Sequence, residues 1–552
     1  MGLTERRIGL LFAIFLGLLV LAAGRTLWLG GVRAEALQKA ATTQQVDEID
    51  LPARRGAISD RNGVELAVSE PAADVAATPY LVKSPLRVAR RIAPLLDSTE
   101  AKVLEKLDAK GGFVYLERNL SGAKAEKLKA MRIEGLQFIP SARRNYPRRW
   151  LASQLLGWVG VDGDGQGGLE YRYNDVLRGI DGKRRIVKDA LGDPIVLQET
   201  KRSVAGEDLK LTLDAQLQGK VEDVLADVGA KWRPKGATAI VMDPRSSTVL
   251  ALANWPRVDA NDFGSAPGYA GQNRAVGFIY EPGSTFKAFT VAGALQDRVV
   301  KPDEFFNLPP TITVADRTIE ESHERGTVDL TTAQILAQSS NVGTVKIGQR
   351  VGPDRFDVWV RRFGFGRRTG IELPGEEAGQ VLRRVKYSGS SMGNLPIGQG
   401  ESVTPMQLTT AYAAIANGGV LRRPRVLSRI GGRPTAGPAG RRVISARTAA
   451  QLRTMLAGVV GEGGTAEASG IDGYTLAGKT GTANKIDPRT GEYSKERYVG
   501  SFVGFAPTRA PKLLVTVVVD EPQGEIYGAE VAAPAFAQIM RFALPYLRIA
   551  PG

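Results

Sequence analysis

Glu281–Lys287 read EPGSTFK, and they are the strongest clue to the structure and chemistry of this chain. The Pro-Gly pair ends a loop, and Ser284 stands where a helix is predicted to begin. Ser284 and Lys287 are three residues apart, so on a helix their side chains share one face. A lysine whose pKa is lowered by desolvation can take the proton of a serine hydroxyl. By itself the spacing also fits an N-capping serine followed by a surface lysine.

A second polar motif, Ser339-Ser340-Asn341, follows the apolar helical segment Thr332–Ala337. Side chains of this kind can relay a proton, and they can hold the lysine or a substrate amide in place. Taken alone, the motif is more typical of a Ser/Asn-rich helix end.

The third motif is Lys479-Thr480-Gly481-Thr482, which is predicted to lie on a strand beside the pocket. Lys479 is a candidate for binding a substrate carboxylate, and Thr480 and Thr482 can donate hydrogen bonds to it. Gly481 permits close approach of another backbone. The backbone N–H groups of Thr482 and Ser284 could form an oxyanion hole. Taken alone, the motif could equally be a solvated strand end.

The three motifs occur together in one order, SxxK then SxN then KTG, which is the arrangement of serine β-lactamases and penicillin-binding proteins. Several longer segments resemble class B penicillin-binding proteins in particular, and they appear in that family's order across nearly the whole chain. These segments are Arg55–Gly63, Gly168–Gly182, Glu281–Lys287, Gly398–Leu408 and Ala411–Gly419.

The resemblance implies an α+β protein with an N-terminal transmembrane helix, a mixed α/β pedestal (dimerisation) domain and a C-terminal transpeptidase domain. The last would contain an antiparallel sheet flanked by helices, as in serine β-lactamases. The predicted boundaries are a cytoplasmic tail at 1–7, an anchor at 8–29, a stalk at 30–48, a pedestal at 49–207 and a transpeptidase domain at 208–552.

The residue patterns predict several elements directly, without the resemblance. Apolar runs predict strands, and apolar residues at helical spacing predict helices. The Asn62-Gly63 pair predicts a tight turn between two strands. Predicted strands are 209–213, 237–242, 248–253, 498–505 and 512–519; predicted helices are 101–109, 123–131, 284–297, 331–350 and 532–546.

The resemblance also implies a mechanism in which Ser284 is the nucleophile and Lys287 is its base. Ser339 and Asn341 would relay protons and position substrate. Lys479, Thr480, Gly481 and Thr482 would bind the D-Ala-D-Ala donor of a peptidoglycan stem peptide. The resemblance implies no metal or organic cofactor, and it implies that β-lactams acylate Ser284.

The division-specific (FtsI-type) branch of the family is favoured over the elongation branch, because the predicted pedestal is compact. Implied partners are a polytopic, FtsW-like glycan polymerase, other division proteins and the bacterial cytoplasmic membrane, with the catalytic domain outside the cytoplasm. The apolar run Ile8–Gly24 contains no charged residue and is just long enough to span a bilayer. A cleavable signal peptide is the alternative for this run.

The amino-acid composition argues against several other kinds of catalytic site and partner. The 552 residues include no cysteine, so disulfides and thiolate catalysis are excluded. A Ser-His-Asp triad would need His323, which is interpreted as a loop residue. The net charge of +15 is spread along the chain without a nucleic-acid-binding motif, so nucleic acid is not an expected partner.

Three other functions compete with the transpeptidase hypothesis. A β-lactamase would need a deacylating base, and Glu372–Glu376 does not match the expected Glu-Asn pattern. A D,D-carboxypeptidase differs only in using water to resolve the acyl-enzyme. A non-catalytic scaffold or β-lactam sensor is disfavoured because the motif residues are intact.

Overall fold

A computed structural model describes residues 3–33, 46–188, 194–487 and 489–551. The chain divides into two compact units, each built from separate stretches of sequence. The smaller unit contains residues 1–54, 71–142 and 179–206, and the larger contains 55–70, 143–178 and 207–552. The sequence predicts one boundary between residues 207 and 208, and that boundary stays a prediction. Before it, stretches of the two units alternate along the chain.

The N-terminal helix Leu3–Leu27 continues into a π-helical turn at Trp28–Val32. Its segment Arg6–Gly31 is long and apolar enough to cross a membrane, by length and composition alone. An N-terminal signal sequence would pass the same test. Most of the predicted stalk, residues 34–45, lies outside the described residues.

The smaller unit contains an antiparallel three-stranded sheet of Val46–Leu51, Gly182–Lys188 and Pro194–Lys201. A second pairing joins the later part of Glu65–Ala77 to Val114–Ser121. Three helices pack their apolar faces into a core that includes Val75, Leu96 and Leu116. These helices are Pro85–Ile92, Glu100–Leu107 and Gly122–Ala130, and the last two confirm the predicted helical spacing.

The larger unit begins with the hairpin predicted around Asn62-Gly63. Ile58–Ser59 pairs with the start of Glu65–Ala77, and Gly63 adopts φ +90° in the turn, which favours glycine. The neighbouring strand Leu209–Leu211 runs parallel to Ile58–Ser59 and antiparallel to Leu427–Ile430. The hairpin prediction is therefore confirmed.

A buried ionic cluster joins two stretches of the larger unit, 55–70 and 143–178. The Glu170 carboxylate is fully buried and accepts from Arg55 Nε at 2.7 Å and from Arg144 Nε at 2.7 Å. Arg55 also donates to the Glu170 carbonyl at 2.9 Å, and Arg144 donates to the Gly56 carbonyl at 2.8 Å. Because a buried charge is costly without partners, this cluster depends on all three side chains.

The main sheet of the larger unit is antiparallel throughout and has five strands. In spatial order they are Thr248–Trp255, Gly236–Asp243, Leu513–Asp520, Tyr493–Ala506 and Ala477–Ile486. Helices Ala215–Trp232 and Ala533–Tyr546 form one apolar core with the sheet, and helices Lys287–Gln296 and Pro405–Ala416 form the other. The protein is therefore α+β, as predicted, and the strands predicted at 237–242, 248–253, 498–505 and 512–519 are confirmed.

The helical pattern predicted at 331–350 is interrupted in the structure. It forms two helices, Thr332–Ala337 and Asn341–Val351, and the first is the helical segment that was predicted to precede the Ser339-Ser340-Asn341 motif. Ser339, between them, adopts φ +60°, a conformation that a helix cannot contain. The break places the Ser339-Ser340-Asn341 motif at a junction between helices.

Shorter elements complete the two units. Further strands are Leu136–Asn145, Phe305–Leu308, Thr311–Val314, Arg317–Glu320, Val328–Thr331, Val420–Arg422, Arg433–Pro434 and Gly440–Arg442. Further helices are Ser153–Leu156, Gly168–Arg172, Asn174–Leu177, Arg274–Gly277, Pro353–Arg362, Ser391–Asn394, Ala446–Ala457 and Gly528–Val531. Turns of 3₁₀ helix occur at Pro79–Leu81, Ala260–Ser265, Gly283–Phe286, Arg384–Lys386, Leu395–Ile397 and Glu467–Ser469.

Candidate active site

Ser284 lies on a tight 3₁₀ turn, Gly283–Phe286, that leads into the buried helix Lys287–Gln296. Gly283 adopts φ +53°, and a Cβ atom there would lie 2.6 Å from the Thr482 carbonyl oxygen. Only glycine therefore allows this turn to approach the strand that carries the third motif. The Tyr412 hydroxyl donates to the Thr285 carbonyl at 2.6 Å and fixes the turn from beneath. Ser284 itself remains partly exposed.

Lys287 is fully buried and follows Ser284 by about one helical turn along the chain. Its ammonium donates to the Ser339 carbonyl at 2.5 Å, to Asn341 Oδ1 at 2.6 Å and to Ser339 Oγ at 3.3 Å. Burial lowers the pKa of Lys287 to about 7, although the negative charge of Glu321 opposes that shift. A lysine in this state is partly neutral near pH 7 and can accept a proton.

The junction between the two helices supplies the groups that hold Lys287. Ser339 is nearly buried, and its positive φ turns its carbonyl oxygen toward the ammonium instead of into a helix. Ser340 caps the next helix, with Oγ accepting from the Gly343 N–H at 3.0 Å. Asn341 Nδ2 donates to the Glu320 carbonyl at 2.7 Å, which leaves its Oδ1 for Lys287.

Glu321 was not singled out by the sequence, yet it organises this junction. Its carboxylate accepts from Ser340 Oγ at 2.6 Å and from the Asn341 backbone N–H at 2.7 Å, and it pairs with Arg325. An acidic group at a helix N-terminus satisfies free N–H groups and interacts favourably with the helix dipole. The only sequence signal was an acidic loop, Glu321–Glu324, which is common on protein surfaces.

The third motif lies on Ala477–Ile486, the edge strand of the main sheet. Lys479 is fully buried, and its ammonium donates to the Thr480 carbonyl at 3.2 Å and approaches Thr480 Oγ1 at 3.4 Å. Burial, together with the charge of Lys287, lowers the pKa of Lys479 well below its usual value. Lys479 is therefore shielded from solvent in this structure.

The remaining residues of the motif are held by neighbours that the sequence did not indicate. Thr480 Oγ1 lies 2.9 Å from Thr465 Oγ1, and Thr482 Oγ1 accepts from the Gly528 N–H at 3.0 Å. A Cβ atom at Gly481 would lie 3.0 Å from the Pro282 carbonyl oxygen, so glycine allows the strand to approach the Ser284 turn.

These elements bring a partly exposed serine, a buried lysine three residues later and the edge strand of the sheet into one site. The described residues contain no group of three His, Asp or Glu side chains that could hold a metal ion. His323 lies on an exposed loop, with its ring 5.6 Å from that of Tyr527. A serine and a lysine of lowered pKa at this spacing form a candidate nucleophile and base.

Two protein families match this sequence, and together they cover most of the chain. The penicillin binding protein transpeptidase domain matches residues 237–541. The penicillin-binding protein dimerisation domain matches residues 50–211.

Full-length relatives agree with these matches. The chain is 34% identical to stage V sporulation protein D of Bacillus subtilis, over 98% of this chain and 86% of that protein. It is 32% identical to the probable peptidoglycan D,D-transpeptidase PenA of Neisseria meningitidis (98% and 93%). It is 31% identical to the peptidoglycan D,D-transpeptidase FtsI of Escherichia coli (98% and 92%).

Solved structures show the same likeness. Penicillin binding protein 3 of Mycobacterium tuberculosis, complexed with aztreonam, has a TM-score of 0.72 and 30% identity, over 91% of this chain and 98% of that one. The chain therefore belongs to the class B penicillin-binding proteins, the family of peptidoglycan D,D-transpeptidases that contains FtsI, PenA and their relatives.

Proposed function

We propose that this chain is a serine-type D,D-transpeptidase that cross-links peptidoglycan through an acyl-enzyme on Ser284. Ser284 Oγ attacks the penultimate D-alanine carbonyl of a donor stem peptide, and Lys287 takes the hydroxyl proton. The bond to the terminal D-alanine breaks, and that D-alanine leaves with the proton. An acceptor amine then attacks the acyl group, the peptide cross-link forms, and the proton returns to Ser284.

The observation that carries this proposal is the state of Lys287. It is fully buried one helical turn from a partly exposed serine, and its pKa is lowered to about 7. General bases work best when their pKa lies near the working pH. A purely structural lysine would more often keep its charge and reach solvent or a carboxylate.

The other motif residues have complementary roles in the proposal. Ser339 and Asn341 hold Lys287 and relay its proton to the leaving group. Lys479 and Thr480 bind the terminal carboxylate, whose negative charge favours the ammonium form of Lys479, and Thr482 holds the backbone of the donor. Water in place of the acceptor amine would release the acyl group, so a D,D-carboxypeptidase side activity belongs to the same chemistry.

The rate of acylation is expected to rise with pH and then level off. Below about pH 7 the ammonium form of Lys287 predominates and cannot accept a proton, so the second-order rate constant should fall about tenfold per pH unit. Above about pH 7 the amine predominates and the rate should reach a plateau. Stopped-flow acylation with a chromogenic cephalosporin, from about pH 5 to about pH 9, measures this profile. A flat profile would rule out Lys287 as the titrating base.

The nucleophile is tested by incubating the full chain, in a neutral detergent, with a fluorescent penicillin. Wild type is expected to become covalently labelled, and Ser284→Ala is expected to remain unlabelled. Ser265→Ala, which removes an exposed serine hydroxyl elsewhere, is the matched control and should label like wild type. Labelling of folded Ser284→Ala would contradict the assignment.

We also propose a single-pass membrane protein with its catalytic domain outside the cytoplasm, acting in septal synthesis. The N-terminal apolar helix and the similarity to FtsI support this. A polytopic, FtsW-like glycan polymerase and other division proteins are the proposed partners, and an elongation role is the alternative.

The cellular location of the chain, fused to a fluorescent protein, tests the septal role. Fluorescence at the division site would support that role, and fluorescence along the lateral wall would favour elongation. Protection of the catalytic domain from protease added outside spheroplasts would contradict the proposed topology.

A further inference from the structure

A basic cavity of about 620 Å³ opens on the larger unit, away from the candidate active site. Its walls come from the Asp243–Thr248 turn, from Leu211 and Thr212, and from the segment Leu547–Ile549. The cavity adjoins Thr248–Trp255, the outermost strand at the edge of the main sheet opposite the Lys479 strand. Four strand spacings separate the two edges, which is roughly 19 Å. The cavity is therefore distinct from the catalytic cleft.

Positive charge dominates the lining of this cavity. Five cationic side chains and a single carboxylate line it: Arg61, Arg245, Arg425, Lys512, Arg548 and Asp243. Two other cavities of the larger unit, of about 500 and 480 Å³, are each lined by one glutamate and by no lysine or arginine. The net charge of +15 is thus not spread evenly over the concave surfaces of this unit.

The nearby carboxylates are already engaged within the protein. Asp243 accepts from the Arg245 backbone N–H at 2.9 Å and from its Nε at 3.2 Å. Asp60 accepts from the backbone N–H groups of Asn62 and Val64, at 2.7 and 2.8 Å. Asp214 accepts from the Leu217 N–H and the Tyr546 hydroxyl. Glu372, which lies within charge range of Arg425, accepts from the Val426 N–H at 2.9 Å. The excess of positive charge in the cavity comes from its lining, in which five cations face one carboxylate.

The backbone that presents the cations is held by hydrogen bonds between separate segments. The Arg425 N–H donates to the Ser247 carbonyl at 3.1 Å, and the Arg425 carbonyl accepts from the Val249 N–H at 3.0 Å. The Arg61 N–H donates to the Leu213 carbonyl at 2.8 Å. A fixed backbone reduces the entropy lost when a ligand binds, so the cavity is partly preorganised.

We propose that this cavity is a binding site for a phosphate-bearing anion. Arginine guanidinium groups bind phosphate through paired, charge-assisted hydrogen bonds. Four arginines line one concave surface here, and one of them, Arg245, already pairs with Asp243. The Ser246 and Thr248 hydroxyls, 2.8 Å apart, add neutral hydrogen-bonding groups to the wall. The volume is large enough for two linked phosphates. The ligand is either a soluble phosphate compound or the headgroup of an anionic phospholipid.

The first test uses inorganic pyrophosphate as the probe. Calorimetry measures its binding to the full chain in a neutral detergent. Wild type should bind one pyrophosphate, and Arg548→Gln and Lys512→Gln should each weaken binding about tenfold. Arg447→Gln, which neutralises an exposed arginine outside the cavity, is the matched control and should change affinity less than about twofold. Fluorescent-penicillin labelling of each variant confirms that the catalytic unit remains folded.

Equal losses in all three variants would overturn the proposal, because they would show diffuse attraction to the net charge. Absence of pyrophosphate binding to folded wild type would overturn it as well. A second arm distinguishes the two sources of phosphate. In nanodiscs with anionic phospholipid, a headgroup in the cavity should weaken pyrophosphate binding relative to neutral nanodiscs. Equal affinity in both nanodiscs would assign the site to a soluble phosphate compound.

Discussion

Replacing Lys287 by methionine is expected to slow acylation by a β-lactam about 10²- to 10⁴-fold, the usual contribution of a positioned general base. Methionine has a similar length but cannot accept the Ser284 proton. The substitution also leaves the Ser339 carbonyl and Asn341 Oδ1 without their donor. The measurement is the stopped-flow acylation rate of the full chain with a chromogenic cephalosporin.

Lys287→Arg separates the loss of a base from the loss of a charge. Arginine keeps the positive charge, but it is not deprotonated in proteins, so acylation should remain slow. Lys346→Met is the control for removing a lysine from the neighbouring helix, and it should acylate at nearly the wild-type rate. A folded Lys287→Arg variant that acylates at the wild-type rate would contradict the role of Lys287 as base. The unfolding midpoint of each variant shows whether it is folded.

Removing the carboxylate of Glu170 is expected to destabilise the larger unit by about 3–5 kcal/mol. Glu170→Ala leaves Arg55 and Arg144, both almost fully buried, without the anion that compensates their charge. A buried charge without its partner keeps the cost of desolvation and loses the attraction that offset it. Chemical denaturation, followed by tryptophan fluorescence, measures the change in the free energy of unfolding.

An exposed ion pair of the same unit provides the comparison. Glu207 pairs with Arg433 at 3.0 Å, and both side chains are largely exposed. Glu207→Ala should cost only about 0–1 kcal/mol, because water and salt screen exposed pairs. If Glu170→Ala cost no more than Glu207→Ala, the buried cluster would not be a principal support of this unit.

The sequence predicted the elements that local pattern determines. Apolar runs predicted most strands of the main sheet, and Asn62-Gly63 predicted the hairpin of a second sheet, because both signals lie within a few residues. The order of the SxxK, SxN and KTG motifs predicted the family, which the comparisons confirm. The roles of Ser284 and Lys287 remain predictions until acylation is measured.

Features that depend on distant contacts could not be predicted in the same way. The break at Ser339 interrupts an otherwise regular apolar spacing. It lets the Ser339 carbonyl accept from Lys287 and the Ser340 hydroxyl donate to Glu321, and these partners are distant in sequence. Lys479 was expected to face substrate, but the sequence could not indicate that the surrounding structure buries it completely. The interleaving of the two units also depends on which segments pack together, which spacing along the chain does not reveal.

The strand order of the main sheet has a consequence for how the protein is synthesised. Gly236–Asp243 forms a hairpin with Thr248–Trp255, and its other edge pairs with Leu513–Asp520. The hairpin is therefore synthesised long before the strand that covers its edge. Chains emerge from the ribosome N-terminus first, so this hairpin has an apolar, unpaired edge until Leu513–Asp520 has been synthesised. Such long-range pairing also folds slowly. The newly made chain therefore passes through a stage that is prone to aggregation, in which chaperone protection of this hairpin should increase the yield of active enzyme.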